Sequence, residues 1–234
     1  MKITIIKGDI TKIKADAIVN AANSYLVKGG GVDNSIHIAS GSELQDELNE
    51  IKKKLPNNKL ATGEVVKTKP YNLKENNVKL IIHTVGPRAY SDPQGLLLEC
   101  YEKSLEIAEK NNCKSIAFPA ISTGAYGLSI ERSAKVVRYI LKNFEPSIIE
   151  EVILVLFKDE DKKVYEDIII KKKDYEDALV NMDDMRFCRY CLATMGDVIP
   201  KHGDFWTCSE ECSNNLLKRN SNQINDLISH GLKK

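Results

Sequence analysis

Short apolar runs alternate with amphipathic stretches along the first 172 residues, and this alternation constrains the fold more than any other feature. The predicted strands, rich in Val and Ile, are 2–6, 16–20, 64–68, 79–85, 115–118 and 151–157. The clearest helical patterns are 42–55, 96–111, 129–143 and 162–172. Strands that alternate with helices predict an α/β domain whose parallel or mixed sheet is covered on both faces.

Length and charge exclude several classes of protein. A chain of 234 residues has room for one full domain and a smaller second unit. The net charge of +1 argues against a bulk nucleic-acid binder. The longest strongly apolar run, 152–157, is far shorter than the ~20 residues of a membrane span. Charged residues interrupt the apolar run within the first nine residues, which is too early for a signal peptide. We therefore expect a cytoplasmic protein, with a nuclear location left open.

Cysteines mark the second unit. We assign residues 1–172 to the first domain, 173–184 to a charged linker or helix extension, and 185–234 to a small C-terminal domain. The four clustered cysteines form two close pairs separated by sixteen residues: Cys188, Cys191, Cys208 and Cys212. A secretion signal would favour disulfides, and we identify none in the sequence. The spacing of the cysteines therefore predicts a structural Zn²⁺ site of four thiolates. The arrangement resembles a treble-clef zinc finger, followed by a C-terminal helix.

The charge of this small domain bears on its partner. Residues 185–234 carry seven Lys or Arg and five Asp or Glu. A nucleic-acid finger usually has a denser basic face. We therefore expect the finger to dock onto a protein, or to cover the first domain, rather than to read nucleic acid.

Polar and glycine-rich segments follow several predicted strands. Ligands of open α/β sheets bind at the carboxyl ends of strands, where these segments lie. Two glycine-rich loops, 29–33 and 119–127, each lead into a predicted helix. Glycine allows close backbone approach and a helix N-terminus favours anions, so the pair predicts a diphosphate site. Neither loop has the spacing of a P-loop or of a Rossmann fingerprint. The alternative is that both loops are ordinary tight turns.

Five segments in register resemble a macro domain, most closely the MacroD-type ADP-ribose hydrolases. These segments are Gly8-Asp9-Ile10-Thr11, Asp16-Ala17-Ile18-Val19-Asn20-Ala21-Ala22-Asn23, Gly29-Gly30-Gly31-Val32-Asp33 with Ile36-His37, Ile82-His83-Thr84-Val85-Gly86-Pro87, and Phe118-Pro119-Ala120-Ile121-Ser122-Thr123-Gly124-Ala125-Tyr126-Gly127. The resemblance covers residues 1–172. It implies a three-layer α/β/α sandwich with a mixed central sheet that binds ADP-ribose across the strand ends.

The resemblance also implies roles for single residues. Asp9, with Ile10, matches the adenine-binding position, and Phe157 matches an aromatic near the adenine. Asn23 matches the asparagine that holds the distal ribose, and Asp33 the aspartate that orients or activates water at the anomeric carbon. The diphosphate and ribose contacts would come from both loops: Gly30, Gly31, Val32, Ser122, Thr123, Gly124, Ala125 and Tyr126.

Each role has a structural alternative. Taken alone, Asp9 and Asp33 could cap helices or turns, Asn23 could form a turn, and Phe157 could be core. His37 and His83 are expected to serve the fold rather than the chemistry.

The loops also differ from related families. The glycine loop lacks the extra Cys and His of zinc-dependent macro domains, so we expect no metal in the active site. Ala125 stands where this branch has a larger aliphatic residue, and Leu128-Ser129 where it has an aromatic-proline pair.

Three functions follow from these observations. The first is a hydrolase that removes mono-ADP-ribose from acidic side chains of modified proteins and deacetylates O-acetyl-ADP-ribose, with water directed by Asp33. The second is a reader that binds ADP-ribosylated partners without turnover and is targeted by its zinc finger. The third, weaker one is an RNA-associated module. The aspartate beside the glycine run favours the first, since many reader macro domains lack it.

Overall fold

The computed structural model describes residues 1–89, 91–93, 95–171, 201–202 and 205–206. The chain divides into two units, Met1–Asp92 with Leu96–Lys173, and Pro93–Gly95 with Asp174–Lys234. The predicted linker, the four cysteines predicted to bind zinc and the predicted C-terminal helix lie outside the described residues. Those assignments, and the domain boundaries, therefore stay predictions.

The first unit contains a six-stranded sheet and five helices. Its strands are β1 (Lys2–Lys7), β2 (Ala17–Ala21), β3 (Val65–Thr68), β4 (Leu80–Thr84), β5 (Ser115–Pro119) and β6 (Glu151–Leu156). Its helices are α1 (Gly31–Ser40), α2 (Glu43–Lys53), α3 (Leu96–Lys110), α4 (Ile130–Asn143) and α5 (Asp159–Tyr165), the last continuing as a wider turn over Glu166–Ile170. Single 3₁₀ turns occupy Ile10–Lys12, Pro56–Asn58 and Tyr71–Asn76.

The sheet is mixed, as predicted. Its strand order is β1-β6-β5-β2-β4-β3, and only β3 runs antiparallel to its neighbour. The five parallel strands therefore all end at one edge, and the loops that follow them meet there. In the register of β2 and β4, Asn20 lies beside His83.

Side-chain alternation along the strands separates two apolar faces. On one face Ile18, Ile81 and Ala117 pack with Ile36 of α1 and Leu44 of α2. The next residue of β5 faces the other way, since the ring of Phe118 lies 5.0 Å from that of Tyr101 in α3. Helix α4 joins α5 on this second side through a 2.7 Å hydrogen bond between the Ser133 and Tyr165 hydroxyls. Helices thus cover both faces of the sheet.

The predicted elements of this unit are present, with shifted ends. All six predicted strands form, and each ends within a residue of its expected position. The last helix begins at Asp159, three residues before the predicted 162, since three successive acidic residues occupy its first turn. The 3₁₀ turns were not predicted, because they carry too few residues for a periodic pattern.

Two further observations complete the fold. In the second unit the structure describes two short strands, β7 (Lys201–His202) and β8 (Phe205–Trp206), which pair antiparallel. Among the described residues, no helix has the length and apolar character needed to cross a membrane.

Candidate active site

A cleft of about 650 Å³ opens at the carboxyl ends of the parallel strands. Every ligand-binding and catalytic residue predicted from the sequence lines it: Asp9, Ile10, Asn23, Gly30, Gly31, Val32, Asp33, Ser122, Thr123, Gly124, Ala125, Tyr126 and Phe157. Further lining residues were missed: Gly8, Ala21, Ala22, Gly29, Ser35, Gly86, Pro119, Ala120, Val155, Leu156, Lys158 and Asp161. The rule that ligands sit beyond parallel strand ends could have found most of these.

One end of the cleft combines a carboxylate with an exposed aromatic ring. Asp9 caps the turn Ile10–Lys12, because its Oδ1 accepts from the Thr11 amide at 2.9 Å and from the Thr11 hydroxyl at 2.8 Å. Phe157 is 83% exposed at the end of β6, so it is not a core residue. A flat ring beside an acceptor suits a heteroaromatic base that carries an amino group.

Asn23 follows β2 at the other end of the cleft and shapes the next loop. Its Oδ1 accepts from the Tyr25 amide at 3.1 Å, and its Nδ2 donates to the Val27 carbonyl at 2.5 Å. The turn-forming alternative for Asn23 is therefore realised, although the residue also lines the cleft. The amide is held in one orientation before any ligand arrives.

Asp33 is buried in the first turn of α1 with only 3% of its surface exposed. Its Oδ2 accepts from the Gly29 amide at 2.5 Å, and its Oδ1 accepts from Asn20 Nδ2 at 2.6 Å. His37 Nε2, one turn later in α1, lies 3.5 Å from the same Oδ1. The carboxylate thus ties the glycine loop to β2 and to its own helix, while still lining the cleft.

Burial and hydrogen bonding have opposite effects on the pKa of Asp33. Burial raises the pKa, but the contacts from His37, Asn20 and Gly29 outweigh it, so the pKa lies below its ordinary value. Asp33 is therefore an anion at neutral pH.

Gly29 packs tightly between two functional side chains. A Cβ at Gly29 would lie 3.1 Å from Asp33 Oδ2 and 3.3 Å from Asn23 Nδ2. Any larger residue would require one of these side chains to shift by a few tenths of an ångström, so glycine fits here without a shift.

A buried chain of hydrogen bonds continues behind Asp33. Asn20 Nδ2, which donates to Asp33, also lies 3.1 Å from His83 Nδ1, and His83 Nε2 lies 2.9 Å from Thr68 Oγ1. Since Nδ1 must accept from Asn20, the proton of the imidazole resides on Nε2 and is donated to Thr68. Complete burial lowers the pKa of His83 to about 3, so the ring is neutral. The sequence motifs contain these residues but do not reveal the chain.

The second loop contains a buried, unsatisfied hydroxyl on a residue that lines the cleft. Ser122 has φ 69°, a left-handed conformation uncommon for serine, and the carbonyl of this residue accepts from the Leu128 amide at 3.0 Å. Its Oγ is buried, and no described residue bonds it. A Cβ at Gly86 would lie 2.2 Å from this Oγ, so glycine there leaves the space that Ser122 occupies.

The positions that depart from the MacroD pattern have distinct surroundings. Leu128 is buried, Ala125 is exposed at the cleft, and Ser129 caps α4 by accepting from the Arg132 amide at 3.2 Å. Serine at this position therefore has a local helix-capping role.

Within the described part of the chain, no cluster of three or more His, Cys, Asp or Glu is arranged to hold a metal ion. The cleft instead combines glycine-rich loops, a helix N-terminus and one buried carboxylate. These features, in a mixed α/β fold, suit an anionic nucleotide-like ligand.

The chain belongs to the macro domain family. The family model described as "Macro domain" matches residues 19–137, slightly more than half of the chain. The resemblance to a macro domain that the sequence motifs indicated is thereby confirmed.

Relatives share most of the first domain. A macro domain-containing protein of Caldanaerobacter subterraneus is 45% identical over 168 residues, which cover 70% of this chain and 93% of that protein. The ADP-ribose glycohydrolase MACROD1 of Rattus norvegicus is 38% identical over 173 residues, covering 71% of this chain and 64% of that protein.

Solved structures agree with this assignment. A mutant of the Oceanobacillus iheyensis macrodomain, solved with ADPR, superposes with a TM-score of 0.66 at 38% identity. The match covers 75% of this chain and 93% of that one. The macro-domain α/β fold with a mixed sheet is therefore confirmed.

Asp33 makes the stability of this domain depend on pH. Because its folded pKa is below the unfolded value of about 3.9, its contribution is complete above about pH 5 and is lost as the pH falls through the folded pKa. We expect the difference in free energy of unfolding between the wild type and Asp33→Asn to shrink between about pH 6 and about pH 3. Denaturant titrations at several pH values measure it. A difference independent of pH would contradict the prediction.

Thr68 tests the buried chain from a position outside the cleft. Thr68→Val keeps the shape but leaves His83 Nε2–H without an acceptor, so it should destabilise the domain by about 1–3 kcal/mol. Thr68→Ser keeps the hydroxyl and serves as the matched control, with a smaller loss. Chemical denaturation compares the variants, and a Val variant as stable as the Ser variant would show that this hydrogen bond contributes nothing.

Proposed function

We propose that this protein is an ADP-ribosyl hydrolase. It binds the ADP-ribose of modified proteins in the cleft, releases it from acidic side chains, and also deacetylates O-acetyl-ADP-ribose. Support comes from the cleft geometry and from the relative named ADP-ribose glycohydrolase. The position of Asp33 carries the proposal most directly.

The wall of the cleft around Asn23 favours an acyl-linked substrate. Of the residues in this wall (Ala21, Ala22, Asn23, Gly29, Gly30, Gly31, Val32, Asp33 and Ser35), only Asp33 is ionisable. An anion cannot supply a proton to a leaving group. A Glu or Asp side chain leaves as a carboxylate, which is stable at neutral pH without taking up a proton. The wall therefore matches the chemistry of an ester linkage.

The lowered pKa of Asp33 favours one role for the residue in the proposed reaction. An efficient general base has a pKa near the working pH, and Asp33 is far below it. In this proposal Asp33 orients a water by accepting a hydrogen bond. The water adds to the anomeric carbon, the bond to the carboxyl oxygen breaks with its electron pair, and the surplus proton passes to solvent.

The diphosphate is assigned to the two loops. The first turn of α1 lines the cleft, and the free backbone N–H groups and dipole of a helix N-terminus favour an anion. On the other side Ser122 offers a buried hydroxyl that has no partner among the described residues. Two such surfaces facing each other suit two linked phosphates. Asn23 would hold the distal ribose, and Asp9 with Phe157 the adenine.

One assay tests the hydrolase and its site together. A protein carrying Glu-linked mono-ADP-ribose is incubated with the wild type, Asp33→Asn and the control Asp161→Asn, whose side chain also lines the cleft. We expect release by the wild type, a loss of about 100-fold or more in Asp33→Asn, and near-normal release by the control. Calorimetry with free ADP-ribose measures binding in parallel.

The outcomes separate two functions. Tight ADP-ribose binding without release by the wild type would replace the hydrolase with a reader. Both oxygens of Asp33 already accept hydrogen bonds from the protein, and this observation favours the reader alternative. Full activity in Asp33→Asn would leave the hydrolase standing but reject the role given to Asp33.

We also propose that Cys188, Cys191, Cys208 and Cys212 bind one structural Zn²⁺, through which a C-terminal finger recruits a protein partner. The support is the paired spacing of the four cysteines. Metal analysis should give about one zinc per chain, and about none for Cys188→Ser with Cys191→Ser. The matched control is Cys100→Ser, a buried cysteine of the first domain. A stable wild type free of zinc would refute the site.

A further inference from the structure

An exposed platform adjoins the Asn23 end of the cleft. In the loop after Asn23, Leu26 adopts φ 50° and is buried to 1% exposure, while its neighbours Tyr25 and Val27 remain 54% and 40% exposed. Lys59 places its Nζ 4.6 Å from the centre of the Tyr25 ring. We call Tyr25, Val27, Lys28 and Lys59 the rim.

The rim is rigidly held. Besides the two bonds from Asn23, the side-chain amide of Gln45 donates to the Leu26 carbonyl at 2.9 Å and accepts from the Lys28 amide at 3.0 Å. The Leu60 amide donates to the Ser24 carbonyl at 2.9 Å, which joins the two chain segments of the rim. A surface fixed in this way loses little conformational entropy on binding. Its apolar side chains are therefore available to a partner.

The charged residues of the rim are all positive. Residues 21–32 and 51–63 contain no Asp or Glu and carry five lysines, of which Lys53 pairs with Glu50 just before the second range: Lys28, Lys52, Lys53, Lys54 and Lys59. Both rim lysines are exposed, and within the described ranges no carboxylate pairs with Lys28 or Lys59. Such a local excess in a chain of net charge +1 selects a negatively charged partner.

We infer that the rim binds the polypeptide next to the ADP-ribosylated residue, and that it prefers acidic flanking sequence. This inference rests on the proposed function, which puts the distal ribose at Asn23. Because the Asn23 side chain bonds directly to Tyr25 and Val27, the modified residue leaves the cleft beside the rim. Lys28 and Lys59 then meet acidic side chains, while Tyr25 and Val27 supply apolar contact.

Charge reversal tests the rim. Lys28→Glu with Lys59→Glu is compared with Lys69→Glu and Lys74→Glu, which change the net charge equally but lie at the opposite edge of the sheet. The substrates are two Glu-linked mono-ADP-ribosyl peptides, one with acidic and one with basic flanks, and O-acetyl-ADP-ribose, which has no peptide. We expect the rim variant to lose about tenfold in kcat/KM on the acidic peptide, mainly through KM.

The controls isolate the polypeptide contact. O-acetyl-ADP-ribose turnover and the Kd of free ADP-ribose should stay within about twofold in the rim variant, and the basic peptide should improve. Raising the salt concentration should weaken the wild type on the acidic peptide and leave the small substrate unaffected. Equal losses on the peptides and the small substrate, or no loss on the acidic peptide, would overturn the inference.

Binding separates this inference from the proposed function. Amide-linked mono-ADP-ribosyl peptides with the same flanks report affinity without turnover. If the wild type binds the acidic peptide more tightly than the basic one but releases nothing from the ester substrates, the hydrolase fails and the rim stands. If it releases ADP-ribose from both peptides equally, the rim fails and the hydrolase stands.

Discussion

The site depends on one buried carboxylate whose negative charge is stabilised on three sides. Asp33 accepts from the glycine loop through Gly29, from β2 through Asn20, and lies against His37 of its own helix. Burying a charge without partners would cost desolvation free energy, so the carboxylate needs all of these contacts together. Their combined effect is to fix the glycine loop at the N-terminus of α1. The same contacts that keep Asp33 ionised therefore position the surface assigned to the phosphates.

Close packing extends this constraint to the rest of the cleft. Gly29 passes between Asp33 and Asn23, and Gly86 leaves room for the Ser122 hydroxyl. At both places a single methyl group would force a side chain or a loop to move. The asparagine that forms the cleft wall also fixes the rim beside it. The proposed ligand site and the proposed partner surface thus share one set of local hydrogen bonds.

Much of this arrangement could be predicted from the sequence, for identifiable reasons. The spacing of apolar residues follows directly from which side chains are buried. This holds for Val- and Ile-rich runs such as 151–157 and for the apolar face of helices such as α3. The cleft residues were predicted because parallel strands bring their following loops to one edge, and because the motifs resemble a known family. The chain from Asp33 through Asn20 and His83 to Thr68 was not predicted. It runs from α1 across three strands, and its members are brought together by strand pairing and by the packing of α1 on the sheet.

The sequence by itself determined the α/β class, the macro-domain membership and many of the residues that line the cleft, because these follow from local patterns and motif order. Only the tertiary structure decided the state of those residues. Whether Asp33 is a free base or a buried, hydrogen-bonded anion depends on donors that are distant along the chain or on other strands. Likewise, Phe157 is an exposed cleft residue rather than core because β6 ends one residue before it. Burial and hydrogen-bond partnership arise from packing, and no local pattern specifies them.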